Sequence, residues 1–171
     1  MPNYEENIEY MNIVKDILEN DKFNILKNTK HHNTTRLNHC LKVSYYSYLV
    51  AKKLHLSYKE IARAGLLHDF YLEQIDEQTN IKDKVSLFSF KHPLIALNNS
   101  LKYFELTRKE KDIIKTHMFP SNIFIPKTIE SWIVCFVDKY VSVGEFKYKF
   151  HQKFVVRKSY LYLLVIMSFF K

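Results

Sequence analysis

The chain has 171 residues, enough for one domain with a substantial buried core, and its 47% hydrophobic and 26% charged residues exclude disordered and low-complexity classes. Its only glycines, Gly65 and Gly144, lie too far apart for a GxGxxG turn or a GxxxxGKS/T loop, so Rossmann and P-loop chemistry are excluded. Lys and Arg outnumber Asp and Glu by 26 to 18, a net charge of +8 that suits an anionic ligand and equally suits a solvated lysine-rich surface.

The N-terminus, Met-Pro-Asn-Tyr-Glu-Glu, has neither the basic start nor the apolar stretch of a secretory signal. With Cys40 and Cys135 as the only cysteines and no CxxC pair, a disulfide framework and a thiolate zinc site are not expected, and a reducing, cytoplasmic setting is. Sparse glycine and proline with long helical periodicity predict an all-α domain of about seven or eight helices.

Ile8, Met11, Val14 and Leu18 mark the first helix, and His31-His32-Asn33-Thr34-Thr35 reads as a polar loop or helix start. A helix from about Thr35 to Leu54 follows, with Leu41, Tyr45, Tyr48 and Leu49 on its apolar side. Ser57-Tyr-Lys-Glu60 has the S-x-x-E form of a capping box and opens a helix ending near His68-Asp69. Pro93 suits the first turn of another helix, which puts His92 at its N-terminal edge. Thr107-Arg-Lys-Glu110 is a second capping box, whose helix carries Ile113, Ile114 and His117 and ends before Pro120. A further helix begins near Thr128 and carries Ile133, Val134, Val137 and Asp138.

The eleven residues Tyr160–Phe170 are the most apolar stretch, but at ~1.5 Å per residue they span roughly half of a ~30 Å hydrocarbon core. They read as a buried helix or an oligomer contact, which leaves a homo-oligomer open. Arg157 and Lys158 keep a membrane-surface role open as well.

His39, His68, Asp69, His92, His117 and Asp138 are metal-ligand types that fall at or near helix ends or on polar faces, in the order H…HD…H…H…D. At a helix end, an adjacent His-Asp pair can aim both side chains at one point, which neighbours about 100° apart inside a helix do poorly. From about His31 to Gly144, the segments HHNTTRLNHCLKVSYYSYLVAKKL, ARAGLLHDF, KHPLIALNNS, IIKTHMFP and ESWIVCFVDKY resemble the HD-domain superfamily of metal-dependent phosphohydrolases. The resemblance implies one HD-type helical domain over residues 1–171, with a core of about 31–144 flanked by an N-terminal helix and a C-terminal apolar helix.

In that superfamily H…HD…D binds one metal, which here matches His39, His68, Asp69 and Asp138. His92 and His117 match the extra ligands of the dinuclear branch, with Asp69 bridging both ions. The implied cofactors are two divalent transition-metal ions, because four imidazoles and two carboxylates suit iron, manganese, zinc or cobalt better than calcium or magnesium. The implied reaction is hydrolysis of a phosphate ester or anhydride by a metal-bridging hydroxide, with His68 and Asp69 at the catalytic centre. The expected partner is a small anionic phosphorylated substrate, such as a nucleotide, and nucleic acid is not expected.

The symmetrical diadenosine-tetraphosphate hydrolases are similar in ligand order, whereas the cyclic-di-GMP phosphodiesterases resemble the chain less, since no GYP tripeptide follows the His-Asp pair. Two other readings stay open, a mixed-valent di-iron oxygenase with the same ligand order and a non-catalytic module that binds metal or nucleotide.

For substrate, Arg36 lies three residues before His39 and could grip phosphate oxygens or sit in a structural ion pair. Lys91 and Lys139 could neutralise a polyphosphate or simply be solvated. Glu73 reads as a catalytic acid or a surface carboxylate, His31 and His32 as substrate contacts or loop, and His55 and His151 as surface residues.

Overall fold

A computed structural model describes residues 3–28, 30–31, 34–71 and 81–147. The apolar run 160–170, Arg157, Lys158, Glu73, His32 and His151 lie outside the described residues. The fold is all-α. Seven α-helices run in chain order among the described residues: α1 (Ile8–Leu18), α2 (Asp21–Asn24), α3 (Arg36–Lys53), α4 (Tyr58–Leu67), α5 (Ile81–Tyr103), α6 (Arg108–Thr116) and α7 (residues 129–147). No helix among the described residues is long and apolar enough to cross a membrane.

Two short strands, β1 (Lys30–His31) and β2 (Thr34–Thr35), pair antiparallel with Lys30 opposite Thr35 and His31 opposite Thr34. Within the stretch expected to be a polar loop or helix start, His31 and Thr34–Thr35 are therefore strand residues, and β2 delivers Thr35 to the N-cap of α3, where its hydroxyl accepts from the Asn38 backbone N–H.

The buried stripe of α1 is Tyr10, Val14 and Ile17, an i, i+4, i+7 face, and Ile8 is 75% exposed. This rotates the expected stripe because Tyr10 brings both a large ring and a polar tip. Its ring packs against Tyr45 and Tyr48 of α3, and its hydroxyl donates to Ser44 Oγ at 2.8 Å. Along α3, Leu41, Tyr45 and Tyr48 are buried as expected, whereas Leu49 is exposed. Eleven of the eighteen residues of α3 are buried, which makes it the central helix.

The α3–α4 crossing is close because Gly65 has no side chain. A Cβ there would come 3.0 Å from the Ser44 backbone Cα. At the same crossing Ser44 Oγ donates to the Ala62 carbonyl at 2.6 Å. At the start of α4, however, the expected capping box does not close. Ser57 makes no side-chain cap, its hydroxyl accepts from Lys109 Nζ, and Glu60 accepts from Thr107 Oγ1 at 2.7 Å.

The Thr107–Glu110 box does close, with reciprocal bonds of 3.1 and 2.7 Å. Glu110 also takes a bond from Arg63 of α4, which reaches Asp16 of α1, so one guanidinium ties three helices together. Pro93 lies inside α5 and not in its first turn, so His92 is well within the helix. An interior proline costs about 3 kcal/mol; His92, Pro93, Ala96 and Ser100 are all buried, and that packing carries the helix through. α7 begins beside Thr128 as the sequence predicts, and Thr128 Oγ1 accepts from the Ser131 backbone N–H at 3.1 Å.

Candidate metal centre

Five helices deliver the six expected ligands to one buried point. His39 comes from the first turn of α3, His68 and Asp69 from the end of α4, His92 from α5, His117 from the end of α6 and Asp138 from α7. All six are buried, the most exposed being Asp138 at 7%.

The ends of α4 and α6 use the same device. His68 is the C-cap of α4 and its Nδ1 lies 2.8 Å from the Gly65 carbonyl, while His117 is the C-cap of α6 and its Nδ1 lies 2.8 Å from the Ile114 carbonyl. A carbonyl can only accept, so both Nδ1 atoms carry a proton and both rings turn Nε2 to the interior. Because α4 ends at its C-cap His68, Asp69 follows in the turn beyond the helix and can face the same space as His68. The Nε2 atoms of His92 and His117 lie 3.0 Å apart.

Asp69 sits between the histidines. Its Oδ1 is 3.4 Å from His92 Nε2 and 3.6 Å from His117 Nε2, and its Oδ2 is 3.8 Å from His68 Nε2. Asp138 Oδ1 lies 3.0 Å from His39 Nε2 and 3.6 Å from His68 Nε2. Ligand atoms fall into three groups, each within 4.8 Å: His39, His68 and Asp69; His68, His117 and Asp138; and Asp69, His92 and His117.

The electrostatics are those of two buried anions among imidazoles. Burial acts to raise the Asp69 carboxyl, but the surrounding histidines outweigh it and hold it low; Asp138 is held well below the usual carboxylate range in the same way, chiefly through His39 and His68. His117 is pushed down to about 3 by burial and by the neighbouring His68 and His92, so it is a neutral imidazole. Burial also acts to lower His39, yet its bonds to Asp138 and Glu145 bring it up to about 10.

The residues present fit a cation. His68 Nε2 and Asp69 Oδ1 are buried and have no hydrogen-bond partner. An imidazole nitrogen and a carboxylate oxygen left without partners in a dry interior are costly, and metal ions held by the cluster would satisfy them. The borderline nitrogen and oxygen donors suit a transition metal.

The expected substrate residues are placed differently from one another. Arg36 is buried, its Nη1 donates to the Tyr71 carbonyl at 2.6 Å, and its guanidinium lies 3.6 Å from the Tyr71 ring centroid. Lys91 is exposed. Lys139 Nζ donates to the carbonyls of His117 and Cys135, so this cation braces the last turn of α6 behind a ligand. His55 is exposed with a φ of 54° just past α3.

Sequence reasoning missed Glu145. Its Oε2 lies 3.2 Å from His39 Nδ1 and its Oε1 accepts from Lys42 Nζ at 2.7 Å. The only available signal was the seven-residue spacing from Asp138, which places both carboxylates on one face of α7. Comparisons with protein-family models, curated proteins and solved structures find no match for this chain.

Proposed function

We propose that this protein is a metal-dependent phosphohydrolase of the HD-domain type, acting on a phosphate ester or anhydride of a nucleotide with two divalent transition-metal ions. The observation that carries the reading is the buried convergence of four imidazoles and two carboxylates, with His68 Nε2 and one oxygen of Asp69 left without hydrogen-bond partners. In this reading His39, His68, Asp138 and one Asp69 oxygen hold one ion, and His92, His117 and the other Asp69 oxygen hold the second. Such ions, when bound, acidify water and offset charge on a phosphoryl group.

The chain's own residues supply the rest. Gly65 and Ile114 carbonyls fix two histidine rings through their Nδ1 atoms, so ligand orientation is set before any ion arrives. Arg36 is held by Tyr71 with its buried Nε unpaired, and in this reading that N–H is the donor offered to a phosphate oxygen. No side-chain nucleophile is required.

The test is elemental analysis of untagged protein, followed by phosphate release from a nucleotide panel. About two equivalents of iron, manganese, zinc or cobalt per chain with metal-dependent phosphate release support the proposal. An iron-loaded protein that consumes oxygen and releases no phosphate is an oxygenase instead. A chain that stays metal-free after anaerobic reconstitution is neither.

A further inference from the structure

Among the described residues, His39 differs from His68 and His117 in what holds its outer nitrogen. Those two rings lean on neutral backbone carbonyls of their own helices. His39 leans on the Glu145 carboxylate, 106 residues away, and Glu145 is itself buried and fixed by Lys42 of α3. Asp138 and Glu145 stand two turns apart on α7 and grip the two nitrogens of the same ring, at 3.0 Å from Nε2 and 3.2 Å from Nδ1.

A carboxylate behind an imidazole does two things that a carbonyl does less well. Its acceptor position keeps the proton on Nδ1 when a metal takes Nε2, and its full negative charge makes that Nε2 a stronger donor. Lys42 pairs with the opposite oxygen of the same carboxylate and keeps it from swinging away. Removing an outer partner of this kind typically costs 10- to 100-fold in metal affinity.

We propose that Glu145, anchored by Lys42, is a positioning residue for His39 that makes the His39, His68, Asp69 and Asp138 position the tighter of two unequal metal positions, filled first. This rests on the metal-centre reading above and adds to it an order of loading and the residues that set it. Neither Glu145 nor Lys42 touches the ion.

The test is a cobalt(II) titration of the full chain after chelation, followed by visible absorption, with circular dichroism and thermal unfolding as folding controls. Wild type takes up cobalt in two phases. In Glu145→Gln the first phase weakens by roughly 10- to 100-fold and the second is unchanged. Lys42→Ala, which leaves the carboxylate in place but unanchored, weakens the same phase by a smaller factor and guards against a Glu145 variant that does not fold.

A first phase as tight in both variants as in wild type overturns the inference, and so does an equal loss in both phases. Wild type that takes up no cobalt is a different result, which removes the metal centre and the inference together.

Discussion

Asp69 turns its two oxygens toward different partners, Oδ1 to His92 and His117 and Oδ2 to His68. A carboxylate so placed can serve two ions. Asp69→Asn keeps the shape but replaces one oxygen with an NH2 group that has no lone pair to give. Metal content should fall from about two equivalents to less than one, with activity lost alongside. Unchanged metal and unchanged turnover would remove Asp69 from the centre. His92→Ala combined with His117→Ala takes away only the far pair and should leave about one equivalent per chain. Loss of both ions, or of neither, would contradict the division of ligands.

At the scale of elements, the site depends on how closely α4 approaches α3, and that closeness depends on Gly65. The atom opposite is the Ser44 Cα, a backbone atom that cannot rotate aside. Overpacking costs about 1–3 kcal/mol, while alanine gains back about 1 kcal/mol in helix propensity, so Gly65→Ala should be destabilised on balance. Because the Gly65 carbonyl also holds His68, metal affinity should fall with stability. Urea unfolding and a metal titration check both, and a variant as stable as wild type would show that the crossing relaxes freely.

Element boundaries were legible where the signal was local. Thr107 and Glu110 close their box within one turn, and the helix starts where the pattern says. Ser57 and Glu60 carry the same pattern, but Lys109 and Thr107 from another helix take their side chains, so a tertiary contact displaces the cap. Pro93 misled for a related reason. Its local rule marks a helix start, whereas α5 runs through it with His92, Pro93, Ala96 and Ser100 buried.

Across the whole molecule, the convergence of these six side chains was legible because residue type and order survive in sequence. Glu145 was not, because its role exists only once α7 lies against α3. The backbone carbonyls behind His68 and His117 were hidden as well, since no side chain encodes them. The same architecture makes the ligands a load on the fold when no cation is bound. Five helices converge on buried carboxylates and histidines, some with orphaned atoms, and an ion that satisfies them links those helices together. Binding to the folded chain alone stabilises it by about 2.7 kcal/mol when free metal is 100 times its Kd. For a chain of this length each kcal/mol moves Tm by roughly 2–4 °C, so loading should raise Tm by about 5–11 °C. Thermal unfolding of chelated protein, with and without added manganese or zinc, measures this directly. An increase that disappears in Asp69→Asn assigns the stabilisation to this cluster, and a Tm indifferent to metal in wild type would mean that the five helices meet there without one.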